Sequence, residues 1–418
     1  MLAKLQNMSE VWQKRLFVVM TAAAIAPLYF ESASQIGGTL FLLSLILLSI
    51  VAWSKKNISL NAFEKGWIWV AMIYTLVFVL SFLLRPPYTC DGIWRLSSSG
   101  FILLLLVWFW ISIKLKLGTT VIKSVAFMSL IFAILLLGLE LYISKGWYVG
   151  YRYGGVLADL GKTGFFLPLT AFLLGLLFLK ERRAVYLVLY FVAFLLSALV
   201  ASRTALAMIT VPLFFTVVYF LFSTKSLSCV KKLGVVIIAL AVIGSSMYLS
   251  KSKLDETFHD YKLAEHSNYY SSMGMRLAML KVGMQMVENH YVLGVGPNLY
   301  KTELKHYVRL TNYSEEVKNS ISSFTHLHNQ FLMDFVLSGI AGIISLILFI
   351  GYPIKVLYQL FKYGRKEEAI FGIGFMVGFW FILFFGAIFT YTYTTILYML
   401  TIGSVILFYR DELGKKHD

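Results

Sequence analysis

The chain reads as an all-α, polytopic integral membrane protein with about twelve transmembrane helices and one large extramembrane loop that itself contains helices. Three observations predict this. Of 418 residues, 59% are hydrophobic and only 14% charged. The apolar residues fall in long blocks instead of alternating with polar ones, and Lys and Arg gather in every second connecting segment. A hydrocarbon core of about 30 Å takes about 20 apolar residues as helix, and a chain crossing it must pair every backbone group internally.

Taken in order, the apolar runs bounded by charge are 16–30, 35–53, 67–84, 96–113, 124–143, 161–179, 184–201, 204–222 and 233–249, then 330–350, 369–389 and 391–408. The weakest boundaries are Glu31 to Gly38 and Phe389 to Thr394. This divides the chain into residues 1–249 with nine helices, a loop over 250–327, and residues 328–418 with three helices and a tail.

Cytoplasmic loops carry an excess of Lys and Arg, which orients the whole. With the N-terminus inside, seven inner segments hold 22 basic residues, for example Lys180, Arg182 and Arg183. The short outer loops hold 6, namely Arg85, Arg95, Lys145, Arg152, Lys162 and Arg203. Both termini are therefore expected on the cytoplasmic side. The same asymmetry accounts for the net charge of +16. In a soluble protein that would suggest nucleic acid, but here it is a topology signal and an attraction to anionic membrane lipids. No nucleic-acid partner is expected. Cys90 and Cys229 fall on opposite faces in this topology and do not pair, and the first apolar run lacks a small-residue cleavage site, so it reads as a retained helix.

The loop of about Ser250 to Leu327 falls outside by the parity of the helix count. Its nine basic residues nearly balance eight acidic ones, so it is not a polybasic tether. Within it, Leu277, Leu280, Met284 and Val287 recur at helical spacing before "GVGP", which predicts an amphipathic helix of about 15 residues stopped by Gly and Pro. Such a methionine-rich face either lies at the bilayer surface or packs on the transmembrane bundle.

Arg203 in "LVASRTALA" sits between two apolar runs with almost no loop. A charge there is a functional candidate by default, with a snorkelling helix end as the plain alternative. Arg276 opens the loop helix, where a guanidinium can meet phosphate or carboxylate with two parallel donors. Arg152 and Lys162 share a glycine-rich outer loop, and Arg95 follows Trp94; these are weaker candidates for phosphate contacts. His326 and His328 stand in "THLHNQFLMDFVLSGIAG" before the tenth helix, where an imidazole can move a proton near neutral pH. Two residues apart on a helix, at most one of them would face a given pocket. Phe331 and Leu332 occupy the third and fourth places after His328, so no metal site is expected, and no nucleotide motif calls for a cofactor. Asp334, inside an apolar run, is expected to face the bundle or water. Ser338, Gly339 and Gly342 make a small-residue face for helix packing.

The stretch His328, Asn329, then Gly339 and Gly342, a His and a polar residue followed at fixed distance by Gly-x-x-Gly, resembles the signature of bacterial O-antigen ligases. The twelve helices and the large loop before the motif are similar to that family over most of the chain. Ser202 and Arg203 match its "SR" element, and Arg276 with Gly294 and Gly296 matches an arginine upstream of "GxG". The paired Arg-x15-Gly elements of O-antigen polymerases are not matched, because Tyr219 and Val292 stand at the glycine positions.

The resemblance implies a metal- and ATP-independent, inverting membrane glycosyltransferase in the bacterial inner membrane, with its active site facing the periplasm. Its substrates would be an undecaprenyl-diphosphate-linked O-antigen donor and a lipid A-core acceptor. His328 would act as general base, and Arg203 and Arg276 would hold the diphosphate. Arg152, Arg95, Lys162, Asn329 and His326 would lie near the substrates, and Gly339 and Gly342 would serve packing. The alternatives are a polymerase or protein oligosaccharyltransferase of the same superfamily. A transporter is a further alternative, although no internal repeat supports it.

Overall fold

A computed structural model of the chain describes residues 8–30, 34–55, 58–144, 160–200, 203–223 and 269–414, with a few positions between 233 and 262. The described residues form an all-helical bundle. In chain order the helices are α1 (Glu10–Tyr29), α2 (Ser34–Trp53), α3 (Ala62–Leu83), α4 (Cys90–Lys114), α5 (Gly118–Ile143), α6 (Leu160–Glu181), α7 (Ala184–Leu199) and α8 (Arg203–Ser223). There follow α9 (Ser272–His290), α10 (Tyr300–Arg309), α11 (Glu315–Ser323), α12 (Gln330–Lys362), α13 (Lys366–Leu383), α14 (Thr392–Phe408) and the short α15 (Arg410–Leu413).

Six of the described helices, α2 to α6 and α12, are long and apolar enough to cross a membrane. Three further apolar stretches, Ala184–Ser197, Ala207–Phe222 and Thr392–Phe408, are shorter. Eleven of the twelve apolar runs lie in helices, and the ninth, 233–249, lies almost wholly outside the described residues. The tenth was expected to end near Ile350 but continues to Lys362. Amphipathic sequence with Lys355 and Lys362 extends the apolar stretch past the point where charge first appears.

Helix starts follow capping chemistry. Asn61 and Glu64 form a reciprocal capping box at α3, and the Thr89 hydroxyl accepts from the Gly92 N–H at α4. The core centres on α14, buried continuously from Thr394 to Phe408 and packed against α4, α5 and α6. A helix apolar all round belongs inside a bundle. Beside it, Tyr74 stacks on Phe349 with ring centroids 4.7 Å apart, and Phe349 meets Tyr398 at 5.2 Å.

Pro353 lies inside α12 and cannot donate to the carbonyl of Phe349 four residues before it. The Tyr398 hydroxyl donates to that carbonyl at 3.1 Å and replaces the missing bond. At the end of the bundle where α3 begins and α12 finishes, ion pairs tie the helices together: Arg410 to Glu64 at 2.6 Å, Lys180 to Glu412 at 3.1 Å and Lys123 to Glu181 at 2.8 Å.

α12 is two helical arms joined at Gly339, whose φ of +63° is non-helical. A Cβ on Gly342 would run into the carbonyl oxygen of Asp334, eight residues earlier. A straight helix would hold those residues about 12 Å apart. The arm before Gly339 therefore folds back on the arm after it. The small-residue face was expected to receive another helix; it receives the other arm of the same one.

Candidate functional site

The turn at Gly339 leaves the carbonyls of Val336 and Leu337 without helical partners, and the "GVG" loop after α9 supplies them. The Val295 N–H donates to Val336 at 2.7 Å and the Gly296 N–H to Leu337 at 3.1 Å, while the Ile340 N–H donates back to the Tyr291 carbonyl at 2.9 Å. Gly294 and Gly296 take φ of +68° and +81°, where a side chain would be strained. A Cβ on Gly294 would also lie 2.6 Å from Leu337. The two glycine elements, about 40 residues apart in sequence, are thus one backbone assembly.

α9 runs beside the first arm of α12. Its buried face is Ala278, Met279, Val282, Gly283, Met286 and Val287, and Gly283 lets it approach Leu327 and Leu332 closely. Of the expected apolar face, Val287 packs here. Leu280 and Met284 are exposed on the side away from that contact, where the second of the two expected arrangements, packing on the bundle, does not reach them.

Between α11 and α12 the chain Phe324 to Asn329 carries both histidines. It is a loop, not a helix, so the spacing rule that would separate the two rings does not apply. Their centroids are 4.2 Å apart. His326 is buried; the Tyr391 hydroxyl lies 3.1 Å from its Nδ1, and the Thr325 hydroxyl is also 3.1 Å from that atom. His328 has φ of +51°, a left-handed conformation that few non-glycine residues adopt and that clusters at functional sites. Phe324 packs edge-on against its ring at 5.3 Å.

Arg95 anchors this loop from α4. Buried at 8% exposure, it donates from Nη1 to the Thr325 carbonyl at 2.6 Å and from Nε to Asp91 at 3.0 Å, and its guanidinium lies 4.2 Å from the centre of the Tyr300 ring. Two of the donors of Arg95, expected to meet phosphate, are held by Asp91 and Thr325. The Asn329 side-chain oxygen caps α12 by accepting from the Leu332 N–H at 2.9 Å.

His328 and Arg276 line one cleft of about 430 Å³, together with Tyr270, Met275, Met279, Ser320 and Phe324. Burial, then the neighbouring His326 and the positive charge of Arg276, push the His328 imidazole down to about 3. It is a neutral imidazole at physiological pH. Arg203 is the first residue of α8 and Lys162 lies in the first turn of α6; their side chains, and Arg152 entirely, are outside the described residues.

The partners of three residues were not legible in the sequence, although Asp334 was expected to face the bundle or water. Asn298, buried between strictly local motifs, donates to the carbonyls of Phe82 and Arg85 at 2.9 and 2.8 Å and accepts from the Thr89 N–H at 3.2 Å. Asp334 faces the bundle, accepting from the Tyr74 hydroxyl at 3.0 Å and from Gln330 at 2.6 Å, and Gln330 in turn accepts from the Phe389 N–H at 2.7 Å. Tyr391, which meets His326, stands 65 residues away in the chain.

Residues 168–347 match the family model described as O-antigen ligase. A protein of Haemophilus influenzae described as uncharacterized is 24% identical over 316 residues, which cover 72% of this chain and 74% of the relative. The family match spans α8, the loop helices and the first arm of α12 into the second, and so contains Arg203, Arg276 and His328.

Proposed function

We propose, from the match of residues 168–347 to the family model described as O-antigen ligase, that the chain is a member of that family and transfers a polymerised glycan from undecaprenyl diphosphate to a terminal sugar of lipid A-core. The reaction would take place at the periplasmic face of the inner membrane. The observation that carries this reading is that Arg276 and His328, far apart in sequence, line one cleft.

A glycosyl diphosphate is already activated, so the protein has to hold the leaving group and deprotonate the acceptor. Arg276, with Arg203 by its match to the family's "SR" element, takes the diphosphate, where a guanidinium stabilises the charge that develops as the bond to the sugar breaks. His328 accepts the acceptor's hydroxyl proton, a role usually worth about 10² to 10⁴ in rate. The hydroxyl oxygen attacks the anomeric carbon from the face opposite the diphosphate, which inverts it.

An imidazole held near 3 is a weak base, and the causes of that low value show how it becomes a better one. One of the three is the charge of Arg276. A diphosphate bound against Arg276 cancels that charge and favours the protonated imidazole, so His328 gains basicity when the donor is in place. His326, held by Tyr391 and Thr325, keeps the ring of His328 oriented.

Product analysis in a strain lacking the protein tests the reading. Loss of polymer from lipid A-core, with long chains still on the lipid carrier, is expected. Loss of chain length alone would indicate a polymerase, and loss of a glycoprotein a protein oligosaccharyltransferase.

A further inference from the structure

A second cleft, of about 490 Å³, lies between α10 and the start of α4 and shares no residue with the one that holds His328. Lys301, Lys305 and Arg309 line it from α10 at four-residue spacing, which puts three cations on one helix face, and His306 joins them. Like charges at that spacing destabilise a helix unless something neutralises them. Among the described residues none of the three is paired with a carboxylate. Asp91, the acid in the cleft wall, is committed to Arg95. Attraction to the negative end of the helix accounts for His306 and Arg309 in the last turn, but Lys301 sits in the first turn, where that field is unfavourable.

The cleft is held open by buried structure. Asn298 ties the entry of α10 to Phe82 and Arg85, and Tyr300 lies fully buried under the Arg95 guanidinium. Arg95 therefore touches both regions: through Asp91 the wall of the basic cleft, and through Thr325 the loop that carries His328.

We propose that this cleft binds a phosphoryl group carried by the acceptor saccharide. The assignment rests on the transfer reaction proposed above. With the donor diphosphate at Arg276, an inverting displacement requires the acceptor hydroxyl to reach the anomeric carbon from the face opposite the diphosphate, so the acceptor needs an anchor away from Arg276, and the basic cleft is a separate cluster of cations joined to the same histidine loop through Arg95.

The test uses the full-length protein in phosphatidylcholine nanodiscs, with lipid A-core carrying its saccharide phosphates and the same glycolipid with those phosphates removed. Binding of each is measured without donor, and transfer with it. In the Lys301→Gln, Lys305→Gln, Arg309→Gln variant, Kd and KM for the phosphorylated acceptor should rise about tenfold or more while kcat and the donor KM hold. The dephosphorylated acceptor should not distinguish variant from wild type. A Lys301→Arg, Lys305→Arg variant should keep wild-type affinity. Equal losses with both acceptors, or no change in KM, would overturn the proposal. So would displacement of the phosphorylated acceptor by phosphatidylglycerol, which would assign the cleft to lipid headgroups. Phosphate-dependent binding by a wild-type protein that transfers nothing would support the anion site and refute the transfer reaction.

Discussion

Gly342 lies directly against the backbone carbonyl of Asp334, the contact that closes the two arms of α12 on each other. Gly339 makes the bend and Gly342 leaves room for the return. The Gly-x-x-Gly spacing is thus a requirement of backbone geometry at the far end of the helical arm that the histidine loop leads into.

Substitution at either glycine should cost stability before it costs chemistry. Gly339→Ala forces a side chain into a backbone conformation (φ +63°, ψ −152°) that is essentially restricted to glycine, worth about 1 to 3 kcal/mol, and also meets the Val292 carbonyl. Gly342→Val overfills a closed contact, typically about 1 to 3 kcal/mol. Thermal unfolding of the purified variants should show a lower midpoint for both; unchanged midpoints would contradict the folded-back helix.

Tyr398→Phe isolates a different contact. It removes the donor that replaces the bond lost at Pro353 and leaves the buried Phe349 carbonyl unsatisfied. A loss of about 1 to 3 kcal/mol is expected, with transfer activity of the folded fraction unchanged. Restoring an amide with Pro353→Ala in the same chain should recover much of it.

Arg95 should behave as a positioning residue. Arg95→Lys keeps a charge but loses the planar fork that joins Asp91 to Thr325. Displacing the histidine loop by about 1 Å can cost roughly 10²-fold in rate. The fall should appear in kcat with the donor KM held, and the pH dependence of kcat should shift, since the surroundings of His328 change. A rise in donor KM alone would instead make Arg95 a ligand for the diphosphate.

The sequence carried most of the helices and part of the candidate site. Long apolar runs located eleven helices because membrane burial demands length and composition that few other structures need. The matched motif found His328, Arg276 and both glycine elements. It could not show that "GVG" hydrogen-bonds to the bend at Gly339, because backbone pairing between irregular segments leaves no periodic trace. The surroundings of Arg95 were hidden for a related reason: a buried arginine and an exposed one look alike until Tyr300 and Thr325 are brought from other parts of the chain to join Asp91 around it. Tyr391 and Asn298 carried no signal, since each acts only across long sequence separations.

The depressed value of His328 has consequences for pH. The unfolded imidazole titrates near 6.5 and the folded one near 3, so between those values the unfolded state binds the extra proton. Stability from this group is fully present above about 6.5 and is lost as pH falls through about 3. In kinetics, kcat/KM for the donor reports the free enzyme and should show no His328 limb between about pH 5 and 8. The kcat profile, measured with the diphosphate on Arg276, should fall at a higher pH than kcat/KM does. Coincident limbs near 6.5 would contradict the link between Arg276 and His328.

The most direct test is transfer in vitro by purified protein given undecaprenyl-diphosphate-linked O-antigen and lipid A-core in the presence of chelator, with wild type set against well-folded His328→Ala and Arg276→Ala variants. Wild type is expected to form polymer-bearing lipopolysaccharide, His328→Ala to lose at least about 10²-fold in rate, and Arg276→Ala to bind the lipid-linked donor more weakly. Full transfer by His328→Ala would contradict the role of His328 as the base.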